Sequence, residues 1–308
     1  MANILVTGGA GNVGSSLAAR FVKDPNNFVV ILDDVSTGSL SKLPSKEYTN
    51  WKFVKADVND FHDLAPVLLH YGFDYVFHYA AVVGVQRTLN NPIKVLRDVD
   101  GIKNILNLCK STGVKRVFFS SSSEVYGEPF EIPQREETTP LNSRLPYAIV
   151  KNIGEAYLRS FHQEFGLDYT IFRFFNTYGP NQSTDFVIAK FIELALQGKD
   201  ITIYGDGLQT RTFCYIDDNT EVAEKCIQNN LCINETLNVG NDNEMTIVQL
   251  AETVIKELNS SSKIIHLPAL PEGDMRRRCP DISIMKKILN RPLTSLEEGI
   301  AKTAKAFK

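Results

Sequence analysis

Tyr147 and Lys151 stand four positions apart in the stretch PYAIVKNIGE. On a helix, positions i and i+4 share a face. An ammonium beside a phenol favours the phenolate, which would lower the phenol's pKa from about 10 toward the working range. A tyrosine so placed can act as a general base toward a hydroxyl. Upstream, VFFSSSSEVYG runs an apolar strand straight into four hydroxyls, Ser120 to Ser123, and the carboxylate of Glu124. Buried strands rarely end in such a block, so the hydroxyls call for a task. The chemistry these groups suggest is removal of a proton from a substrate alcohol. The spacing Y-x-x-x-K is common by chance, and its bland alternative is a surface tyrosine with a solvated lysine.

Short apolar runs alternate with segments of helical period. NILVTG, NFVVILDD, WKFVKAD, DYVFHYAA, KRVFFSSS and DYTIFRFF read as strands. NVGSSLAARFVKD, DFHDLAPVLLHYG, NPIKVLRDVDGIKNILNLCKSTG and PYAIVKNIGEAYLRSFHQEFG read as helices. That order predicts parallel strands joined by right-handed crossovers. The expected class is α/β, a doubly wound parallel sheet of the Rossmann type over residues 1–175, with a smaller C-terminal α/β lobe over 176–308 for substrate. Part of 211–240 is expected to return to the main sheet. Strand ends at the carboxyl edge of such a sheet face its ligand crevice, which puts Ser120 to Ser123 there.

VTGGAGNVGSS lies between the first strand and the first helix. Gly9, Gly11 and Gly14 match G-x-G-x-x-G, and Gly8 adds another glycine. A tight turn needs backbone angles that side chains oppose, and the helix start offers N–H donors to a pyrophosphate. Asp33 follows 19 residues after Gly14, at the tip of the second strand. A carboxylate there accepts from an adenosine ribose and repels a 2′-phosphate, which favours NAD over NADP. Gly8, Gly11, Asn12, Val13, Gly14 and Asp33 are thus expected to hold NAD. Asp57 and Val58, after the third strand, are expected near the adenine, with capping as the alternative for Asp57. A bound nicotinamide cation would depress Tyr147 further, and Lys151 is long enough to reach the nicotinamide ribose.

The chain has 308 residues, about 43% hydrophobic and 22% charged, and a net charge of −3. This composition suits a globular protein and gives no footing to a polyanion, so no nucleic-acid partner is expected. Cys109, Cys214, Cys226, Cys232 and Cys279 are odd in number and scattered, which reads as free thiols in a reducing compartment. The sequence begins almost at once with a strand, without a signal-peptide pattern, and its most hydrophobic stretch is too short to span a bilayer. A cytoplasmic protein with no membrane partner is expected. His62, His70, His78, His162 and His266 lack metal-ligand spacing, so no catalytic metal is expected.

The motifs TGGAGNVG, HYAA, SSSSEVYG, YAIVK, RFFNTYGP, IYGDGLQTRTFCYIDD and GDMRRRCPDIS occur in this order. Together they resemble the extended short-chain dehydrogenases/reductases that act on nucleotide sugars, over nearly the whole chain. The resemblance implies that Ser122 hydrogen-bonds the sugar 4-hydroxyl and that Tyr147 takes its proton while hydride leaves C4 for NAD. Lys151 would tune Tyr147 and grip the ribose, and Tyr79, Ala80 and Ala81 would line the cofactor. Asp98 falls where the family usually has Asn, which puts that cofactor contact in question. Asn176 would bind the sugar diphosphate, and Arg211 would pair with phosphate, as would Arg276 or Arg278. The family's homodimer, packed through the two long helices, is the implied assembly.

Glu124 bears on which reaction the enzyme completes. Once C4 is a ketone, a 4-epimerase returns hydride to the other face, a 4,6-dehydratase removes the C5 proton and the 6-hydroxyl, and a decarboxylase releases CO₂ from a uronic acid. Dehydratases and UDP-glucuronate decarboxylases of the family commonly carry Glu at this position, with Ser123 standing where many dehydratases have Asp. NSRLPYAIVK lacks the decarboxylases' usual approach to the tyrosine, whereas Arg278 lies near the position of the decarboxylase arginine. HYAAVVGVQRTLNNP is more like the epimerases. A UDP-sugar 4-epimerase is the leading expectation. The alternatives are a decarboxylase or a dehydratase using Glu124, then a net C4 dehydrogenase or a non-enzymatic NAD sensor.

Overall fold

In β1 (Ala2–Thr7) and β2 (Asn27–Asp33), successive apolar residues feed opposite sides of one sheet. Leu5, Val30 and Leu32 belong to the core on one face, and Ile4, Val6, Val29 and Ile31 to the core on the other. This is the two-residue period of a strand covered on both sides. The computed structural model describes residues 2–268 and 277–307, with the side chains of residues 85 and 86 excepted. Its seven-stranded sheet is parallel throughout. From one edge it runs Glu235–Val239, β6 (Asp168–Phe174), β5 (Arg116–Ser122), β4 (Tyr75–His78), β1, β2 and β3 (Trp51–Lys55). The chain order reverses beside β1, between β2 and β4, and there a ligand crevice opens at the strands' carboxyl ends.

Helices α2 (Phe61–Tyr71), α4 (Pro92–Cys109) and α5 (Pro146–Phe165) cover one face through residues such as Leu64, Leu68, Ile102, Leu106, Val150 and Leu158. Helices α1 (Asn12–Phe21), Ile216–Gln228 and Ser283–Leu289 cover the other through Leu17, Phe21, Val222, Met285 and Leu289. Short α3 (Val85–Asn90) precedes α4 at the crevice. On the second face Phe77 stacks on Phe118 with centroids 4.3 Å apart, and Phe118 stacks on Phe172 at 5.9 Å. This aromatic ladder ties three neighbouring strands together.

The expected α/β class is what the chain adopts. The strand Glu235–Val239 lies within the 211–240 stretch expected to return to the main sheet, but it was not itself read as a strand, because ETLNV alternates polar residues where a doubly covered strand is usually apolar. It pairs with β6, so the chain re-enters the main sheet well after residue 176. The remaining C-terminal segments build a separate core around Phe191, Ile192, Ile201, Ile203, Leu250, Val254 and Ile300. Helix Ile247–Glu257 starts in a capping box, Thr246 Oγ1 accepting from Gln249 N and Gln249 Oε1 from Thr246 N.

Candidate active site

At the crevice floor, Gly8 adopts φ +65°, and a Cβ there would sit 2.7 Å from Ala80 N. A Cβ on Gly14 would lie 2.4 Å from Gly8 O. The turn is therefore pressed on both sides by backbone, which explains its glycines. Helix α1 opens at Gly11 with no side chain capping its free N–H groups, leaving them for an anion. The buried Asn12 Oδ1 has no partner of its own. Asp33 Oδ2 accepts from Ala10 N at 2.9 Å and Oδ1 from Val35 N at 2.8 Å. Those bonds aim the carboxylate, and its remaining lone pairs stay available for ribose hydroxyls. Thr7 Oγ1 fixes the opposite wall by accepting from Tyr79 N (3.1 Å) and Ala80 N (3.2 Å). A cradle that excludes a methyl group, bare helix amides and an aimed acid fit a dinucleotide.

The crevice encloses about 580 Å³, and Gly8, Gly11, Asn12, Val13, Gly14, Asp33, Asp57, Val58, Tyr79, Ala80, Ala81 and Asp98 line it. Asp57 accepts from Asn59 N at 2.9 Å and pairs with Arg97 at 3.2 Å. Asp98 is buried and accepts from Val82 N at 2.7 Å and from Asn59 Nδ2 at 3.4 Å. Burial raises its carboxyl pKa, while the Val82 amide and the Lys151 ammonium oppose that rise. Asn59 and Lys42 also line the crevice; neither belongs to a motif, and no local signal marks them.

Each serine of the block has its own partner. Ser120 Oγ accepts from Lys151 Nζ at 3.3 Å and donates to His78 O at 3.3 Å. Ser121 Oγ donates to Glu155 Oε1 at 2.6 Å. Ser122 Oγ accepts from Glu124 N at 3.2 Å, opening a short 3₁₀ turn over Ser123–Tyr126, and interacts with the Tyr147 phenol. Ser123 Oγ accepts from Arg278 Nη1 at 3.2 Å. The hydroxyls thus connect β5 to α5 and to the C-terminal segment.

Helix α5 opens with Pro146 at its first turn, where a missing N–H costs nothing. It places Lys151 Nζ 5.7 Å from the Tyr147 ring centroid. The half-buried Tyr147 and the buried Lys151 both line the crevice with Ser122. The expected lowering of the Tyr147 pKa is corrected here. Burial drives it well above its ordinary value, Ser122 only partly offsets this, and the Glu124 and Asp98 carboxylates add to the rise. Burial also lowers Lys151 to about 8, against the opposing pull of Asp98.

The buried Arg278 donates from Nη1 to Glu124 Oε1 at 3.0 Å, so Ser123, Glu124 and Arg278 meet on one wall. Asn176 lines the crevice, with φ +27° and Nδ2 donating to Thr212 O at 2.9 Å. Arg211 does not line it. It sits in the short strand Thr210–Arg211 and donates to Thr210 O at 2.7 Å. Arg276 lies outside the described residues. A buried network was also missed. Arg173 makes a bidentate pair with Glu155 (2.9 and 2.7 Å) and donates to Tyr126 OH at 2.8 Å, and Tyr126 OH donates to Asn238 Oδ1 at 2.8 Å.

A Rossmann sheet with a dinucleotide cradle beside a Ser, Tyr and Lys set defines a nicotinamide-dependent enzyme acting on an alcohol or its ketone. Residues 4–240 match the NAD dependent epimerase/dehydratase family, and the chain belongs to that family. Its cofactor is accordingly NAD, and the resemblance drawn from seven motifs is borne out. A UDP-glucuronic acid decarboxylase 3 of Arabidopsis thaliana is 34% identical over 99% of this chain and 89% of its own length. A UDP-N-acetyl-alpha-D-glucosaminuronate decarboxylase of Bacillus cytotoxicus is 35% identical over 99% and 97%. The structure of a UDP-glucose 4-epimerase from Thermotoga maritima, with UDP-glucose, superposes with TM-score 0.92 at 30% identity, covering 99% of this chain and 98% of that one. The chain is thus an NAD-dependent enzyme of nucleotide-sugar epimerase, decarboxylase and dehydratase kinship. Among the described residues no helix is long and apolar enough to cross a membrane.

Proposed function

We propose that this enzyme decarboxylates a UDP-linked uronic acid by transient oxidation at C4. The observation behind this reading is Arg278, a buried cation held by Ser123 and Glu124 on the wall that carries Ser122 and Tyr147. A uronate places a carboxylate one bond from C5, and a guanidinium matches that anion bidentately. A neutral hexose offers Arg278 no such partner. The curated decarboxylases that resemble the chain along its length support the same choice.

Gly8, Gly11, Asn12, Val13, Gly14 and Asp33 would hold the adenosine and pyrophosphate side of NAD, with Asp57, Val58 and Asp98 beside it. Tyr79, Ala80, Ala81 and Lys151 would flank the nicotinamide side. NAD, when bound there, supplies the hydride acceptor for C4 and returns the same hydride to the product. Ser122 orients the sugar 4-hydroxyl, and Tyr147, whose phenolate the nicotinamide cation of bound NAD would favour against the effect of burial, takes its proton. The resulting 4-ketone makes the C6 carboxylate a β-keto acid. Its C5–C6 bond then breaks, CO₂ leaves, and the electron pair moves into the C4–C5 enolate. Arg278 binds the carboxylate, and Glu124 is our candidate for moving the proton that C5 gains. Tyr147 finally returns its proton to the 4-oxygen. Asn176 would sit against the diphosphate, and Arg211, two residues before the crevice-lining Phe213, would pair with a phosphate. We further propose that residues 1–175 form the NAD-binding domain and 176–308 the nucleotide-sugar lobe. The protein would work in the cytoplasm as a homodimer through α4 and α5, whose Ile93, Leu96 and Ile149 are exposed.

The second reading is the 4-epimerase, favoured by the close superposition on the Thermotoga enzyme. The two separate in one experiment. The protein is incubated with NAD and UDP-glucuronate, UDP-galactose, GDP-mannose or dTDP-glucose in D₂O and followed by NMR. The proposal expects CO₂ release from UDP-glucuronate, with one solvent deuterium at C5 of the pentose product. Inversion at C4 of a neutral UDP-sugar, without deuterium at C5 and without CO₂, would overturn it in favour of the epimerase.

A further inference from the structure

All five cysteines are free thiols, and two of them meet. Helix Ile216–Gln228 ends with the Leu231 amide donating to the Cys226 carbonyl at 3.0 Å and the Asn230 amide to the Ile227 carbonyl at 3.2 Å. Asn230 has φ 52°. This bond pair is a Schellman close, which turns the chain back over the helix's last turn. Cys232, itself at φ 53°, returns to the apolar cluster that contains Cys226. The return brings the two side chains to the same side of the helix end, close enough for each thiol to shift the other's titration. Arg116, from β5, fastens the return by donating to Cys226 O at 3.3 Å, to Leu231 O at 2.8 Å and to the Asn230 side chain. From the next strand, Thr170 Oγ1 donates to Cys232 O at 2.8 Å. The other three cysteines sit elsewhere: Cys109 in α4, Cys214 in the strand Cys214–Tyr215 and Cys279 beside Arg278.

The two sulfurs are unequal. Cys226 is fully buried and Cys232 is partly exposed. The neighbouring Cys226 thiol holds the Cys232 thiol below its ordinary pKa, against burial and the Glu235 carboxylate. The Cys232 neighbour, together with burial, holds the Cys226 thiol up. An accessible thiolate with a second thiol against it is the arrangement of an attacking and a resolving cysteine.

We propose that Cys226 and Cys232 form a redox-sensitive dithiol that hydrogen peroxide closes into an intramolecular disulfide. The Cys232 thiolate attacks one peroxide oxygen, the O–O bond breaks, hydroxide leaves, and Cys232 becomes a sulfenic acid. The Cys226 sulfur then attacks the Cys232 sulfur and gives up its proton. The S–O bond breaks, and the departing hydroxide takes a proton to leave as water. Two thiols lose two electrons, and the peroxide ends as two waters. The bond fastens the end of helix Ile216–Gln228 to the entry of strand Glu235–Val239. That strand carries Asn238, which donates to Asp281 O at 3.2 Å in the segment following Arg278.

The test treats the folded full-length protein with hydrogen peroxide, alkylates remaining thiols with iodoacetamide, and reads intact and tryptic masses. CIQNNLC contains no Lys or Arg, so both cysteines fall in one tryptic peptide. The expected result is that this peptide loses two hydrogens, ~2 Da, escapes alkylation, and regains two thiols with dithiothreitol. Cys232→Ser should abolish the loss. Cys226→Ser should leave Cys232 as a sulfenic acid that dimedone traps. A wild-type peptide that stays doubly alkylated, Cys232 that passes to sulfinic acid without a bridge, or a bridge to another cysteine would each overturn the proposal.

Discussion

His78 closes β4 at the edge of the crevice, and its imidazole is held in the neutral form. Its Nδ1 lies 3.0 Å from Thr7 Oγ1, the oxygen that also accepts the Tyr79 and Ala80 amides. Burial lowers its pKa to about 3, and the Lys151 ammonium adds to the drop. In the unfolded chain the same ring titrates near 6.5. At neutral pH neither state binds the proton, so the group contributes nothing to a pH difference there. Below 6.5 the unfolded state binds it and the folded state does not, so native stability falls until pH reaches about 3. A gap of roughly 3.5 units corresponds to about 5 kcal/mol in full, and to about 2 kcal/mol between pH ~7 and pH ~5. Denaturant unfolding of wild type and His78→Asn at those two pH values isolates this effect, since the other histidines are common to both. Asn keeps a hydrogen-bonding group where Nδ1 was and has no titration. The variant is less stable at both values because it leaves space in the core. Its loss between them should nevertheless be smaller than the wild type's by about 2 kcal/mol. Equal losses, or a His78 NMR resonance titrating near 6.5 in the folded protein, would refute the reasoning.

Tyr147→Phe should lower turnover by about 10² to 10⁴-fold, while NAD binding, read by calorimetry, stays close to wild type. Retained turnover would remove Tyr147 as the base. Arg173→Met should destabilise the fold by about 3–5 kcal/mol in denaturant titration, because it strands the fully buried Glu155 carboxylate without its bidentate partner. Replacing Glu155 by Leu in the same chain should recover much of that loss, since no unpaired charge then remains.

The parts legible in the sequence were those written in local spacing. The turn from Gly8 to Gly14, the acid at Asp33 and the Tyr147–Lys151 pair each lie within one strand–turn–helix unit or one helix turn, where backbone geometry alone fixes who meets whom. Contacts between distant segments were harder. Glu124 and Arg278 stand 154 positions apart, and a resemblance could name both without saying that they touch. The polar strand Glu235–Val239 was hidden for a related reason. Asn238 is fully buried because Tyr126, Gln134 and Asp281 satisfy its amide, and such partners cannot be read from five residues.

The same distinction bears on the choice of reaction. In the proposed reaction Ser122, Tyr147 and Lys151, with NAD as hydride acceptor, would bring a sugar alcohol to its ketone, a step that epimerase, dehydratase and decarboxylase share. The fate of the ketone depends on the charge that meets C5 and C6. In the proposed decarboxylation that charge would be the buried guanidinium of Arg278, steadied by a serine hydroxyl and a carboxylate. Taking such a cation from water is costly unless it is paired. In the folded chain Glu124 supplies the pairing, and a uronate carboxylate would share it. An epimerase must let its keto sugar turn over between two faces, and a fixed charge beside C6 favours one face. The ion pair therefore weighs toward a substrate that arrives with its own anion at C6 and leaves without it.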